Sequence, residues 1–172
     1  MVRGSPNPRH FRLPARLRSA RRSAALTRNE LVQSVGAGQT AVSEIEAGKR
    51  LPTVGMIARL AVALGVSAGW LAYGLGDERA DGPAANCDGM GMRVQEVRAA
   101  LGMPKAELAR RADLSPRTIS NIENGAQAGI EVIDAMATVL NVSPAWLAFK
   151  QGPRELPKRR RTAKLPDRKS VV

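Results

Sequence analysis

Arg21 stands 25 residues before Glu46, and Arg98 stands 25 residues before Glu123. A guanidinium presents its donors in a planar fork that suits a carboxylate or a phosphate. Each arginine is therefore a candidate for an internal ion pair or for contact with a polyanion. Residue types suited to catalysis or metal binding are not gathered in this way. The single histidine, His10, lies among arginines with no carboxylate or cysteine near it in the sequence. No Cys/His cluster has the spacing of a zinc site, and no glycine-rich phosphate loop follows a strand. The one cysteine, Cys87, precludes an internal disulfide framework and fits a reducing compartment. Its neighbour Asp88 is expected to raise the thiol pKa and slow oxidation. The expectation is a protein with no enzymatic activity, no cofactor and no metal.

The recurring Arg/Glu spacing belongs to a longer repeat. Residues 42–48 read VSEIEAG and residues 119–125 read ISNIENG, 77 positions apart. At that shift Arg16 meets Arg93, Arg21 meets Arg98, Glu30 meets Glu107 and Leu31 meets Leu108. After one deletion the shift becomes 76, and LGVSAGWLAY (64–73) falls on LNVSPAWLAF (140–149). Apolar positions stay apolar where the letters differ, as at Leu17/Val94, Val42/Ile119 and Val54/Ile130. Two copies of one small core leave this pattern, so the chain is read as two domains.

Each copy reads as a run of short helices. In the first, Leu13, Leu17, Ala20 and Ala24 recur at helical spacing. Thr27 followed by Glu30 has the form of a capping box at the start of a helix over 26–35. Gly36–Gly38 break that helix, and QTAVSEIEAG (39–48) restarts one with Val42 and Ile45 inward. Pro52 and Thr53 announce a fourth helix ended by Gly65, and Ser67 caps a last one carrying Trp70 and Leu71. In the second copy Pro104 starts the second helix and Ser115–Pro116 the third. No segment alternates at period two, so the fold class is all-α. Trp70, Trp146, Tyr73 and Phe149 are read as core plugs.

The net charge of +12 is concentrated at the ends. Residues 1–25 hold seven arginines and no acid, and residues 150–172 hold nine Lys/Arg against two acids, which leaves 12 − 7 − 7 = −2 for 26–149. Basic ends on a near-neutral body point to a polyanion partner, above all nucleic acid. The first 25 residues lack the apolar core of a signal peptide, so a cytoplasmic, nucleoid-associated location is expected.

Helix, glycine turn, helix, then S-x-I-E-x-G and a downstream LGVSxxWL resemble the Cro/repressor-type (XRE) helix-turn-helix family. The resemblance spans 12–75 and 93–149. It implies two tandem lambda-repressor-like domains of about five short helices each. A flexible linker (76–92), a basic arm (1–11) and a basic tail (150–172), both disordered, complete the plan. The arginine-rich stretch 3–22 is a candidate to follow a minor groove, and KRRRTAK (158–164) to bind phosphate. The resemblance further implies that Arg21–Glu46 and Arg98–Glu123 are buried structural ion pairs.

In similar domains the second helix braces the DNA backbone and the third enters the major groove. That implies DNA contacts from Gln39, Thr40, Ser43 and Glu44 in the first copy and from Arg117, Thr118 and Asn121 in the second. Gln39 suits adenine, Glu44 suits cytosine N4 and Arg117 suits guanine. Arg28 and Lys105, opening the bracing helices, are candidate phosphate contacts. Residues 12–75 carry nine Lys/Arg and three acids, a net of +6, whereas 93–149 carry six of each. The first copy is therefore expected to dominate binding, because backbone attraction supplies most non-specific affinity. The expected partner is double-stranded DNA, with a homodimer, or a protein bound through the second domain or the tail, left open. The reading is a transcriptional regulator acting as a repressor; an autoregulating antitoxin and a sequence-neutral architectural protein are the alternatives.

Overall fold

Thr27 illustrates how these residues make these elements. Its Oγ1 accepts from Glu30 N at 3.2 Å, while Glu30 Oε2 accepts from Thr27 N at 2.7 Å. Two amides that open the helix are thereby satisfied reciprocally. The Thr27 amide, then its hydroxyl, hold the Glu30 carboxyl below its usual range. The computed structural model describes residues 8–156. A 3₁₀ turn, Arg9–Arg12, leads into α1 (Leu13–Ser23), α2 (Arg28–Val35), α3 (Ala41–Glu46), α4 (Val54–Leu64) and α5 (Ala68–Tyr73). A second set follows: α6 (Met90–Ala100), α7 (Lys105–Arg111), α8 (Pro116–Glu123), α9 (Ile130–Leu140) and α10 (Pro144–Phe149). The chain is all-α, two helical domains in tandem. The arm through residue 7 and the run 158–164, with the rest of 157–172, lie outside the described residues.

Side-chain caps from Thr53, Ser67, Ser115 and Ser143 open α4, α5, α8 and α10. Two starts differ from expectation by a residue or two. Pro104 occupies the position before α7 rather than its first turn. The third helix of the first copy begins at Ala41, leaving Gln39 and Thr40 in the turn ahead of it. The physical reason lies at Gly38, the counterpart of Ser115. Glycine has no side chain to accept an early helix amide, whereas Ser115 Oγ accepts from Thr118 N at 3.0 Å.

The cores repeat with the sequence. Leu17, Leu31, Val42, Val54, Ile57 and Leu71 are buried in the first copy. Val94, Leu108, Ile119, Ile130, Ile133 and Leu147 are buried at the matching places of the second. Each such side chain removed from water contributes about 1.5–3 kcal/mol. Tyr73 and Phe149 are buried too, while Trp70 and Trp146 lie partly exposed at the edge of the core. The Arg154 guanidinium sits 5.3 Å over the Trp146 ring.

Arg16 and Arg93 perform one task twice. Arg16 donates to Leu71 O at 2.9 Å and Ala72 O at 2.7 Å. Arg93 donates to Leu147 O at 2.9 Å and Ala148 O at 3.1 Å. Carbonyls at a helix carboxyl end have no partner within the helix, and a cation there also suits the helix dipole. Each arginine thus ties the last helix of its copy to the first. Burial, with Arg12 nearby, lowers the Arg16 pKa to about 10, so it stays charged at neutral pH.

Within the stretch 76–92, which composition reads as a flexible linker, residues 90–92 open α6 and the part before them is tied at several points. Ser67 N donates to Glu78 O at 2.9 Å, Asn86 N to Phe149 O at 2.8 Å and Gln151 Nε2 to Pro83 O at 3.0 Å. Cys87 is partly buried, and burial is the first cause of its raised pKa. Asp88, credited with that shift from sequence alone, adds a smaller push in the same direction, opposed by Arg93.

Candidate nucleic-acid interface

α3 and α8 each turn an apolar edge inward and a polar edge outward. Val42, Ile45 and Glu46 are buried, as are Ile119 and Ile122, and the Glu123 side chain is only 3 % exposed. On the outward side, Gln39, Thr40, Arg117 and Asn121 are exposed, and Ser43, Glu44 and Thr118 are half-buried. Ser43 Oγ donates back to Thr40 O at 2.8 Å, which holds the turn before α3 against the helix. Glu44 lies 3.7 Å from Arg50 Nη1, so its negative charge is partly offset toward a phosphate-bearing partner. Thr118 Oγ1 shares a 2.9 Å hydrogen bond with Ser115 Oγ.

Behind each outward edge sits a three-residue charge cluster. Arg21 Nε donates to Glu46 Oε1 at 2.6 Å and its Nη2 to Glu46 Oε2 at 3.3 Å, a two-pronged pair. Arg98 repeats this on Glu123 at 2.7 and 3.2 Å. The third members are Arg28, whose Nε lies 2.8 Å from Glu46 Oε2, and Lys105, whose Nζ lies 3.1 Å from Glu123 Oε2. Arg28 and Lys105, expected from their positions to contact phosphate, turn their charged atoms to a buried carboxylate. Their side chains nevertheless remain 53 % and 41 % exposed, so they hold positive charge at the surface beside α3 and α8. Burial alone would raise the pKa of both glutamates. Hydrogen bonds and positive charge from Arg21 and Arg28, and from Arg98 and Lys105, outweigh it and hold both carboxyls below the usual range.

The arginines of α1 divide between structure and surface. Arg16 and Arg21 are committed as described, and Arg18 donates to Glu46 O at 2.9 Å. Arg12 and Arg22 are exposed. Of the stretch 3–22, the candidate minor-groove follower, residues 9–22 are folded into the 3₁₀ turn and α1, and residues 3–7 lie outside the described residues. Arg9 is held by Asp134, with Nη1 2.9 Å from Oδ1 and its backbone N donating to Oδ2 at 2.9 Å. His10 Nδ1 lies 3.2 Å from the same Oδ2. The sequence carries no sign of this cluster, since its members lie more than 120 residues apart. The Arg16/Arg93 match, by contrast, was visible in the repeat without a role attached.

Among the described residues, no helix is long and apolar enough to cross a membrane. Compared with known proteins, residues 12–71 match the family described as "Helix-turn-helix domain" and residues 94–147 the family described as "Helix-turn-helix". No curated protein and no solved structure matches the chain. Domains of these families bind DNA and typically carry no catalysis. Two matches in order, on two copies of one helical plan, lead to one conclusion: the chain is a tandem helix-turn-helix protein of the Cro/repressor (XRE) type.

Proposed function

We propose that this DNA-binding regulator is sequence-specific and acts as a repressor, covering a promoter site so that polymerase is excluded. The first copy leads. Gln39, Thr40, Ser43 and Glu44 meet base edges in the major groove, and Arg28 contacts the flanking phosphates while bracing Glu46. Arg117, Thr118 and Asn121, with Lys105, form the corresponding set in the second copy. The observation that carries this reading is the sidedness of α3. Its apolar residues and Glu46 are buried while every hydrogen-bonding side chain proposed to read bases retains exposure. A helix so divided offers its polar edge to a groove without disturbing its own core.

Selection of bound duplexes from random DNA with the full chain tests the reading. An enriched sequence is expected, with one position losing its base preference in Gln39→Ala at a cost of about 1–3 kcal/mol. Binding of equal strength to all sequences would sink it. Placed upstream of a reporter, the enriched site is expected to lower transcription when the protein is present.

A further inference from the structure

The two copies touch one another through matching residues. In this part of the repeat the offset is 76, so Pro52 corresponds to Ala128, Thr53 to Gly129 and Val54 to Ile130; Gly69 corresponds to Ala145 and Tyr73 to Phe149. Thr53 forms an antiparallel bridge with Gly129. On either side of it, Val54 N donates to Ala128 O at 2.9 Å and Ile130 N donates to Pro52 O at 3.2 Å, the same bond written in both directions. A methyl group placed on Gly69 would fall 2.7 Å from the Ala145 Cβ. The Tyr73 and Phe149 rings lie 6.3 Å apart. Contact of each residue with its own counterpart is the mark of a two-fold, self-complementary interface. Here both faces belong to one chain.

A two-fold rotation leaves height along its axis unchanged. The rotation that relates the copies relates α3 to α8 as well, so any component of their outward edges along the axis has the same sense in both. Duplex DNA has local two-fold axes of its own, and two-fold pairs of helix-turn-helix units engage half-sites about one turn apart. The outward residues themselves are not matched. At the offset of 77, Gln39 corresponds to Pro116, Thr40 to Arg117, Ala41 to Thr118 and Glu44 to Asn121; only Ser43 and Ser120 agree.

We propose that the chain is a built-in pseudo-dimer: as a single molecule it reads two unlike half-sites in inverted orientation, α3 on one and α8 on the other. This rests on the DNA-reading function above and adds the architecture of the site. Two departures from symmetry keep the halves in one arrangement. Tyr73 Oη donates to Ile130 O at 3.0 Å, and its counterpart Phe149 has no hydroxyl. Arg9 and His10 grip Asp134, whose counterpart is Ala58. The face that a second copy would need for the same two-fold contact is filled by the chain's own other half.

The test uses the full chain with sites selected from random duplexes. The expected product is a pair of unrelated half-sites centred about 10 base pairs apart, occupied by one chain per duplex in sedimentation. Inserting about five base pairs between them puts the half-sites on opposite faces of the helix, and affinity is expected to fall about 100-fold. Gln39→Ala is expected to remove base preference at one position of one half-site and Arg117→Ala at one position of the other; both residues are exposed, so neither change disturbs the core. Two chains on two identical half-sites would overturn the proposal. So would a single enriched half-site indifferent to Arg117→Ala, although the DNA-reading function would then survive. A failure to enrich any sequence would remove that function and this inference together.

Discussion

The two copies share a backbone more closely than they share residues. Ala25 and Gly102, at matching positions, both adopt left-handed backbone, with φ of 54° and 59°. Gly36 and Asp113 do the same, at 60° and 57°. Glycine tolerates this conformation without steric cost, while alanine does not. The turn is therefore imposed by the helices that it joins, and the residue type adapts. Charge behaves differently. The Arg–Glu pairs, buried in the first copy and largely shielded in the second, are kept in both, while the net charge falls from +6 over 12–75 to zero over 93–149. Interior charges hold the fold and are repeated; exterior charges have diverged.

The sharpest way to break this comparison is to remove the shared interior pair. Arg21→Met and Arg98→Met each leave a carboxylate buried with one remaining cation, and each is expected to cost about 3 kcal/mol. Urea unfolding of the full chain measures it. A loss in one variant alone would mean that the copies are not held together by the same device. The pH dependence has a defined sign. Glu46, Glu123 and Asp134 have lowered pKa values in the fold. Their contribution is present above the ordinary carboxylate range and is lost as pH falls through the lowered values. Stability is expected to drop on acidification below about pH 4, and each methionine variant is expected to drop less steeply.

A feature present in one half only should matter somewhat less. Burial works to raise the Asp134 pKa, but His10 and Arg9 outweigh it. Asp134→Asn keeps the shape and removes the charge, with an expected loss of about 1.5–3 kcal/mol, the size of a charge-assisted hydrogen bond. No loss in the same unfolding assay would mean that the Arg9–His10 grip is not needed to fasten the first copy to the second.

Surface charge offers the next contrast. Arg22 and Lys49 are exposed on the first copy, and Arg110 and Arg111 on the second. Replacing Arg22 and Lys49 with glutamine is expected to flatten the dependence of log K on log salt by up to about 0.9 per lost phosphate contact. Replacing Arg110 and Arg111 is expected to do less; an equal effect would contradict the lead given to the first copy. The smallest effects concern the turn. Ala25→Gly is expected to gain about 0.5 kcal/mol and Gly102→Ala to lose about as much, because each exchanges the residues of one position across the repeat. A shift of melting temperature in the same direction for both would sever the link between the two turns.

Much of this protein was determined by its sequence alone. The repeat offset established two copies, and the periodicity of residues such as Val42, Ile45, Ile119 and Ile122 marked the buried edges. Thr27 with Glu30, and Ser115 with Pro116, marked helix starts. These signals are local: a cap acts over three residues and an apolar stripe over one or two turns, so short windows contain them. Tertiary structure decided the rest. Arg28 and Lys105 read as surface cations until the fold brought Glu46 and Glu123 beneath them. Arg16 and Arg93 recurred without a role until helix ends 54–56 residues away came within reach. Pairing of Pro52 with Ile130, and of Ala128 with Val54, joins backbone groups whose donors and acceptors are the same in every residue type but proline. Side-chain chemistry therefore cannot announce it. The packing of α5 against α10, where Gly69 admits Ala145, and the bond from Tyr73 to Ile130 hold the two copies together where those backbones meet.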